Sequence, residues 1–283
     1  MDPVRTRHLF EQTLLGDYED EEPWAAISAL RLDGSREIFD NAAAWCQADD
    51  PLKRARGAAI LCQLQRARPP GAPSTPDWIS RDESYELITQ MLADERNTLA
   101  LESAISALGH LGNSEAVSTI LRYQSHSNPD VRLAVAFALG CFPDDPASVR
   151  GLLALTSDPR SAVRDWAVFG LGVQGHSDSP EIRDALLRCV SDPDSDVCEE
   201  AAVALGQRHD LRVLPRLRAM LDCPEITVRV AEAAAALLEL EPAPADWTVA
   251  EYQSALRARF ASEQRSRAAG PAARLNEGGG TCQ

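Results

Sequence analysis

The sequence predicts an all-α protein, an α-solenoid of about six two-helix repeats closed by N- and C-terminal capping helices. Three observations carry that expectation. The segments 131–140 (VRLAVAFALG), 163–172 (VRDWAVFGLG) and 197–206 (VCEEAAVALG) superpose without gaps, as do 228–237, 100–109 and, more weakly, 55–64. Their first residues, at positions 100, 131, 163, 197 and 228, lie 31, 32, 34 and 31 residues apart, the length of two short helices and two turns. Apolar residues recur at helical spacing and no run alternates with period two, so no strands are expected. Two antiparallel helices with one apolar face each cannot bury those faces alone, whereas stacked repeats can.

From the N-terminus, residues 3–15 read as a helix through Val4, Leu9, Phe10, Thr13 and Leu14. Five acids then fall between Asp17 and Glu22, and Pro23-Trp24 opens a short helix reaching Leu32. Residues 1–34 are therefore expected to form an N-terminal cap with an acidic linker. The repeats occupy 35–240. The step from 55 to 100 is about a dozen residues too long, and the Pro-rich stretch 67–77 is expected to loop out there, with Trp78 re-entering the packing.

The turns agree with this reading. Second helices are preceded by Asp50-Pro51, Asn128-Pro129, Asp158-Pro159, Asp192-Pro193 and Cys223-Pro224. Asp or Asn there accepts from free helical N–H groups, and proline at the first helical position wastes no donor. First helices open with Asn113, Asp145-Pro146, Ser179-Pro180 and Asp210. Residues 241–262 supply the C-terminal cap, an amphipathic helix through Val249, Tyr252, Leu256 and Phe260. Residues 263–283 have little to bury and are expected to be disordered.

Composition narrows the function. Of 283 residues, 45% are hydrophobic and 25% charged, as in ordinary globular proteins. The formal net charge of −15 opposes coating of nucleic acid or anionic membrane. No apolar stretch approaches the ~18 residues of a membrane span, and the N-terminus lacks a signal-peptide core. Seven cysteines without a CxxC pair read as reduced thiols, so a cytoplasmic location is expected.

The pattern D-P-x-x-x-V-R-x-x-A-x-x-A-L-G, present at 158–172 with Gly170 replacing the second alanine, resembles the HEAT-repeat family in its short bacterial, bilin-lyase-like form. The resemblance spans about residues 35–240. It implies scaffolding and partner binding, with scattered enzymatic members. It also implies that the arginine after each repeat's first residue (Arg56, Arg132, Arg164, Arg229) pairs with an acid of the adjacent unit. Leu101 and Cys198 depart from the pattern, so the stack is expected to be less rigid there.

Several chemistries fail on context. Residues 170–175 (GLGVQG) match the dinucleotide fingerprint formally, but they follow a helix, where carbonyls repel phosphate; helix packing with a C-cap at Gly172 accounts for them. His110, His176 and His209 follow second helices, where a cation complements the helix dipole. No nucleophile–base motif, P-loop or metal-ligand spacing occurs, so no catalytic residue, cofactor or metal is expected. A DNA-binding groove like that of the family's glycosylases would need cations where this chain has Glu102, Asp165, Glu199 and Glu200.

Helical geometry locates a partner surface instead. In each second helix, the first residue and positions +4, +7 and +8 face the core, while +2 and +6 point outward, toward the concave side in the family. In the middle repeats that outward row and its flank read Leu133, Phe137, Trp166, Phe169 and Val203, rimmed by Asp165, Glu199 and Glu200. An apolar patch rimmed by charge marks a protein-binding surface, and the acidic rim favours a basic partner. The leading expectation is a non-enzymatic adaptor. The alternatives are an enzyme or enzyme subunit of the bilin-lyase type, and an immunity-type inhibitor masking a basic effector. Limited trypsin digestion should cut after Arg66 or Arg68 and in the C-terminal tail; preferential cleavage within 100–240 would refute the assignment.

Overall fold

The structure, a computed structural model, describes residues 2–16, 20–64, 80–221, 227–238 and 248–268, with side chains up to 259 in the last helix. The expected loop 67–77, Trp78, the Cys223-Pro224 turn and the tail from 269 lie outside them. Among the described residues there are fifteen α-helices and no strand. They divide into two compact units, Met1–Ala185 and Leu186–Gln283.

The first unit contains α1 (Pro3–Gln12), α2 (Glu21–Asp33), α3 (Arg36–Trp45), α4 (Pro51–Leu61), α5 (Arg81–Asp94), α6 (Thr98–Leu111), α7 (Ala116–Leu121), α8 (Pro129–Gly140), α9 (Pro146–Leu155) and α10 (Ser161–Phe169). Alternate helices pack in series: α2 on α4, α4 on α6, α6 on α8 and α8 on α10. Helix α11 (Pro180–Cys189) begins in this unit and ends in the next. The second unit contains α12 (Ser195–Gln207), α13 (Leu214–Leu221), α14 (Val228–Leu237) and α15 (Val249–Ala268), with α12 on α14 and α14 on α15.

The repeat core follows the spacing in the sequence. Val131, Val135, Ala138 and Leu139 are buried, as are Val163, Ala167 and Leu171, and Val197, Ala201, Ala204 and Leu205. Asp50 accepts from the Leu52 N–H at 2.9 Å, Asn128 from Asp130 at 2.7 Å and Asp145 from Ala147 at 2.8 Å, each with proline as the next residue. Two expected caps differ. Asp158 accepts from the Arg160 N–H at 2.9 Å and Asp192 from that of Asp194 at 3.0 Å, shaping the turn before the helix rather than capping it.

The repeat arginines reveal a second rule. Arg54, Arg132 and Arg164 each direct Nη1 to the carbonyls six and five residues upstream: Ala48 and Asp49, His126 and Ser127, Asp158 and Pro159. Arg54 and Arg132 also reach the next repeat. Arg132 makes a two-bond fork to Asp158 (2.6 and 3.1 Å) and Arg54 to Glu95 (2.6 and 3.0 Å). Arg54, not Arg56, is therefore the repeat arginine, and the first repeat is aligned from Lys53. The sequence hid this register because its first position is a cation, whose ammonium lies 5.8 Å from the Trp45 ring. Arg56 is buried against Trp24 instead.

Where the arginine is missing, so is its acid. Leu101 is followed, one repeat on, by His126 at the position of Glu95 and Asp158, and Leu101 lies in the core at 2% exposure. Cys198 is buried; its thiol donates to the Val190 carbonyl at 2.8 Å and accepts from Arg216 at 2.9 Å. Arg229 turns back to the preceding second helix, forking onto Glu200 at 2.6 and 2.7 Å.

Three further expectations change. Gly172 is not a C-cap: α10 runs into a π-helical turn, Gly170–Gln174, closed by a 3.1 Å bond from the Gly175 N–H to the Gly170 carbonyl. A Cβ on Gly170 would lie 3.3 Å from the Gly140 Cα, so close helix approach does explain the glycines. The acidic run enters α2, where Glu21 and Glu22 occupy the first turn and complement the helix dipole. Helix α15 continues past Ser262 to Ala268, since neither glycine nor proline intervenes before Gly270.

Breaking the fork by Arg132→Met or Asp158→Asn should each cost about 3 kcal/mol, with the double variant costing less than the sum. Burial opposes ionisation of Asp158, but the hydrogen bond from Arg132 prevails and holds its carboxyl below the usual range. That contribution is present above the ordinary carboxylate value near ~4 and lost below it, so acid titration of wild type and Arg132→Met should diverge above pH ~4 and converge below.

Candidate functional site

Four aromatic rings form a ladder across α6, α8 and α10. His110 lies in the last turn of α6, Phe137 stands in α8 at +6 from the repeat start, and Trp166 and Phe169 stand in α10 at +3 and +6. The His110 and Phe137 centroids are 5.0 Å apart at 61°, those of Phe137 and Trp166 5.2 Å at 81°, and those of Trp166 and Phe169 5.7 Å at 80°. Each of the three pairs is T-shaped, the favoured edge-to-face aromatic geometry. All four are half-buried, as is Leu133 at +2 of α8. The patch is thus neither sealed core nor freely projecting.

The same helices carry acidic side chains. Glu102, at +2 of α6, is half-buried; burial and the nearby Asp130 push its carboxyl up to about 7, with Arg160 opposing. Asp130 pairs with Arg160. Asp165, at +2 of α10, is half-buried.

The second unit departs from the expected surface. Val203 is 1% exposed and belongs to the core, together with Val230 and Ala234 at the outward positions of α14. The cause is close packing: a Cβ on Gly206 would lie 2.8 Å from that of Ala233, so α12 and α14 approach until position +6 is covered. Glu199 and Glu200 are also half-buried and engaged. Glu199 accepts from the Thr227 hydroxyl at 2.6 Å, and Glu200 takes the fork from Arg229. They tie two repeats together and do not form a free acidic rim.

With the geometry in place, the family follows. The family described as HEAT repeats matches residues 85–172 and 149–238, more than half of the chain. The chain belongs to the HEAT-repeat family. Protein YibA of Escherichia coli is 25% identical over 209 residues, covering 71% of this chain and 70% of its own. The crystal structure of YibA superposes with a TM-score of 0.67 at 22% identity, covering 92% of this chain and 93% of that one. Phycocyanobilin lyase subunit alpha of Thermosynechococcus vestitus is 33% identical over 81 residues, 29% of each chain.

Other candidate groups of this HEAT-repeat chain are chemically quiet. Burial, then Cys62, pushes the Cys46 thiol up to about 12, and burial pushes Cys141 to about 11, so both are protonated and poor nucleophiles. Among the described residues no three His, Cys, Asp or Glu side chains gather as metal ligands, and no helix is long and apolar enough to cross a membrane. Of the histidines, His176 is 92% exposed beside Asp144, and His209 takes a left-handed turn (φ 52°) after α12. Only His110 joins the patch. Its position ten residues after the start of its repeat, on the same face as Ser106, is the signal that sequence reading passed over.

Replacing Glu102 with Gln should stabilise the protein at pH 8 by on the order of 1 kcal/mol, after discounting for solvent screening. The folded-state value lies above the unfolded one, so ionisation is penalised above pH 7 and not below about 4.5. Denaturation at pH 8 and at pH 4 should show the gain only at the higher pH.

Proposed function

We propose that this HEAT-repeat protein is a non-enzymatic scaffold that docks a protein partner on the second-helix face of its first unit, through Leu133, Phe137, Trp166 and Phe169. The observation that carries this reading is the aromatic ladder itself. Phe137 and Phe169 stand half-open at the +6 position that other repeats fill with Ser106, Val203 or Ala234, Trp166 stands beside them at +3, and aromatic anchors in such settings concentrate binding energy. Asp165, next to Trp166 in α10, and the net charge of −15 favour a basic partner by steering its approach.

Two observations favour other readings. The net charge also suits an inhibitor that masks a basic effector, which would form a tight one-to-one complex. The likeness to a phycocyanobilin lyase subunit suits an enzyme subunit, which would require a reactive group that the buried, protonated Cys46 and the half-buried Cys141 do not supply.

Affinity capture from native lysate with wild type and with the Trp166→Ser/Phe169→Ser variant separates these outcomes. The scaffold reading expects a stoichiometric partner lost in the variant, because truncating an anchor costs ~2 kcal/mol or more of affinity. The melting temperature should fall only modestly, each edge-to-face contact being worth ~0.5–1.5 kcal/mol. Undiminished capture by a folded variant would overturn the site. Charge reversal at Asp165 should slow association, an effect that shrinks as salt rises.

A further inference from the structure

Next to the ladder, the first unit holds a cleft of about 260 Å³ between α2, α4, α6 and α8, with Trp24 and Phe137 as aromatic walls. Its polar lining is dominated by donors. Arg31 reaches from α2 to α4: Nε and Nη2 donate to the Ala59 carbonyl at 2.9 and 2.6 Å, and Nη1 donates to Gln63 Oε1 at 2.8 Å. No carboxylate among the described residues pairs with this guanidinium, in a chain whose net charge is −15. Its charge faces the cleft offset only by neutral oxygens, a thiol and the Trp24 ring.

Arg31 also sets the state of His110. A guanidinium only donates, so Gln63 must turn its carbonyl oxygen toward Arg31 and its NH2 toward His110, which it meets at Nδ1 at 3.1 Å. Nδ1 therefore accepts, and the ring proton sits on Nε2. Burial, followed by the nearby Arg31, keeps the imidazole below its usual range and hence neutral near pH 7. Nε2–H has no partner among the described residues. Ser103 completes the set: it lines the cleft, is 4% exposed, and its Oγ has no hydrogen-bond partner among the described residues. A buried hydroxyl without a partner is uncommon, and this one lines the cleft.

We propose that this cleft binds a carboxylate carried on an aromatic or other apolar body, the anion meeting Arg31, His110 Nε2–H and the Ser103 hydroxyl, and the body packing between Trp24 and Phe137. Such a group could come from a free aromatic acid or from the C-terminal residue of a polypeptide, which present the same chemistry. The cleft shares Phe137 and His110 with the aromatic ladder, but the proposal does not rest on the docking reading, because a small acid suffices to probe it.

The full chain titrated with 3-phenylpropionate, and separately with 3-phenylpropionamide, by calorimetry or ligand-detected NMR tests the proposal. One-site saturable binding of the acid, at least tenfold tighter than the amide, is expected. Ser103→Ala should weaken the acid severalfold while leaving the melting temperature unchanged or higher, since it removes a hydroxyl that bonds nothing in the free protein. A purely structural serine would not show that combination. Arg31→Met should abolish the preference for acid over amide; if that variant fails to fold, the Ser103→Ala result decides. N-acetyl dipeptides ending in phenylalanine, as acid and amide, distinguish the sources: a peptide acid binding tighter than phenylpropionate assigns a chain terminus, and equal binding a free acid. Equal affinity for acid and amide, absence of binding, or unaltered binding by Ser103→Ala overturns the proposal.

Discussion

Each helix pair in this chain carries more apolar surface than the pair can cover, and burial between successive second helices is the constraint on which the other features depend. Val131, Val135, Ala138 and Leu139 in α8 are each fully buried, and removing one such valine or leucine from water contributes ~1.5–3 kcal/mol. Burial alone is non-directional and would tolerate sliding. The arginine forks to Glu95 and Asp158 supply direction, because a planar guanidinium meets a carboxylate in one register. Arg54 and Arg132 thereby bind their own turn and the next repeat at once, which accounts for a recurrent arginine at one position.

The same stacking determines which outward positions remain open. Between α12 and α14, Gly206 and a run of alanines let the helices close until Val203 and Ala234 lie in the core. Across α8 and α10, bulky Phe137 and Phe169 occupy the equivalent +6 position with Trp166 at +3, and their rings lean edge-to-face on one another while staying half-open. Side-chain volume thus converts one repeat position into core in one unit and into surface in the other.

Electrostatics divide along similar lines. Carboxylates that meet an arginine, such as Glu200 and Asp158, become part of the repeat interface. Glu102, beside Asp130 and partly removed from water, instead has its carboxyl pushed up to about 7. Arg31 is the converse case, a cation held by carbonyl, amide and thiol groups at the rim of a cleft.

By itself the sequence determined the helical architecture, the repeat length, the core positions of α6, α8, α10 and α12 and several of the caps, because these depend on short-range periodicity and turn chemistry. It also placed Leu133, Phe137, Trp166 and Phe169 at outward helix positions, since helix geometry fixes +2, +3 and +6 relative to the core, whereas their half-burial came from the tertiary packing. It misaligned the first repeat by two residues, because Lys53 carries no apolar signature there. The burial of Val203, the engagement of Glu199 and Glu200, the π-helical turn at Gly170–Gln174 and the meeting of Trp24, Arg31, Ser103 and His110 were decided only by the tertiary structure. Each depends on how closely two helices approach, and that distance is set by the side chains of both neighbours together, not by the pattern of either one.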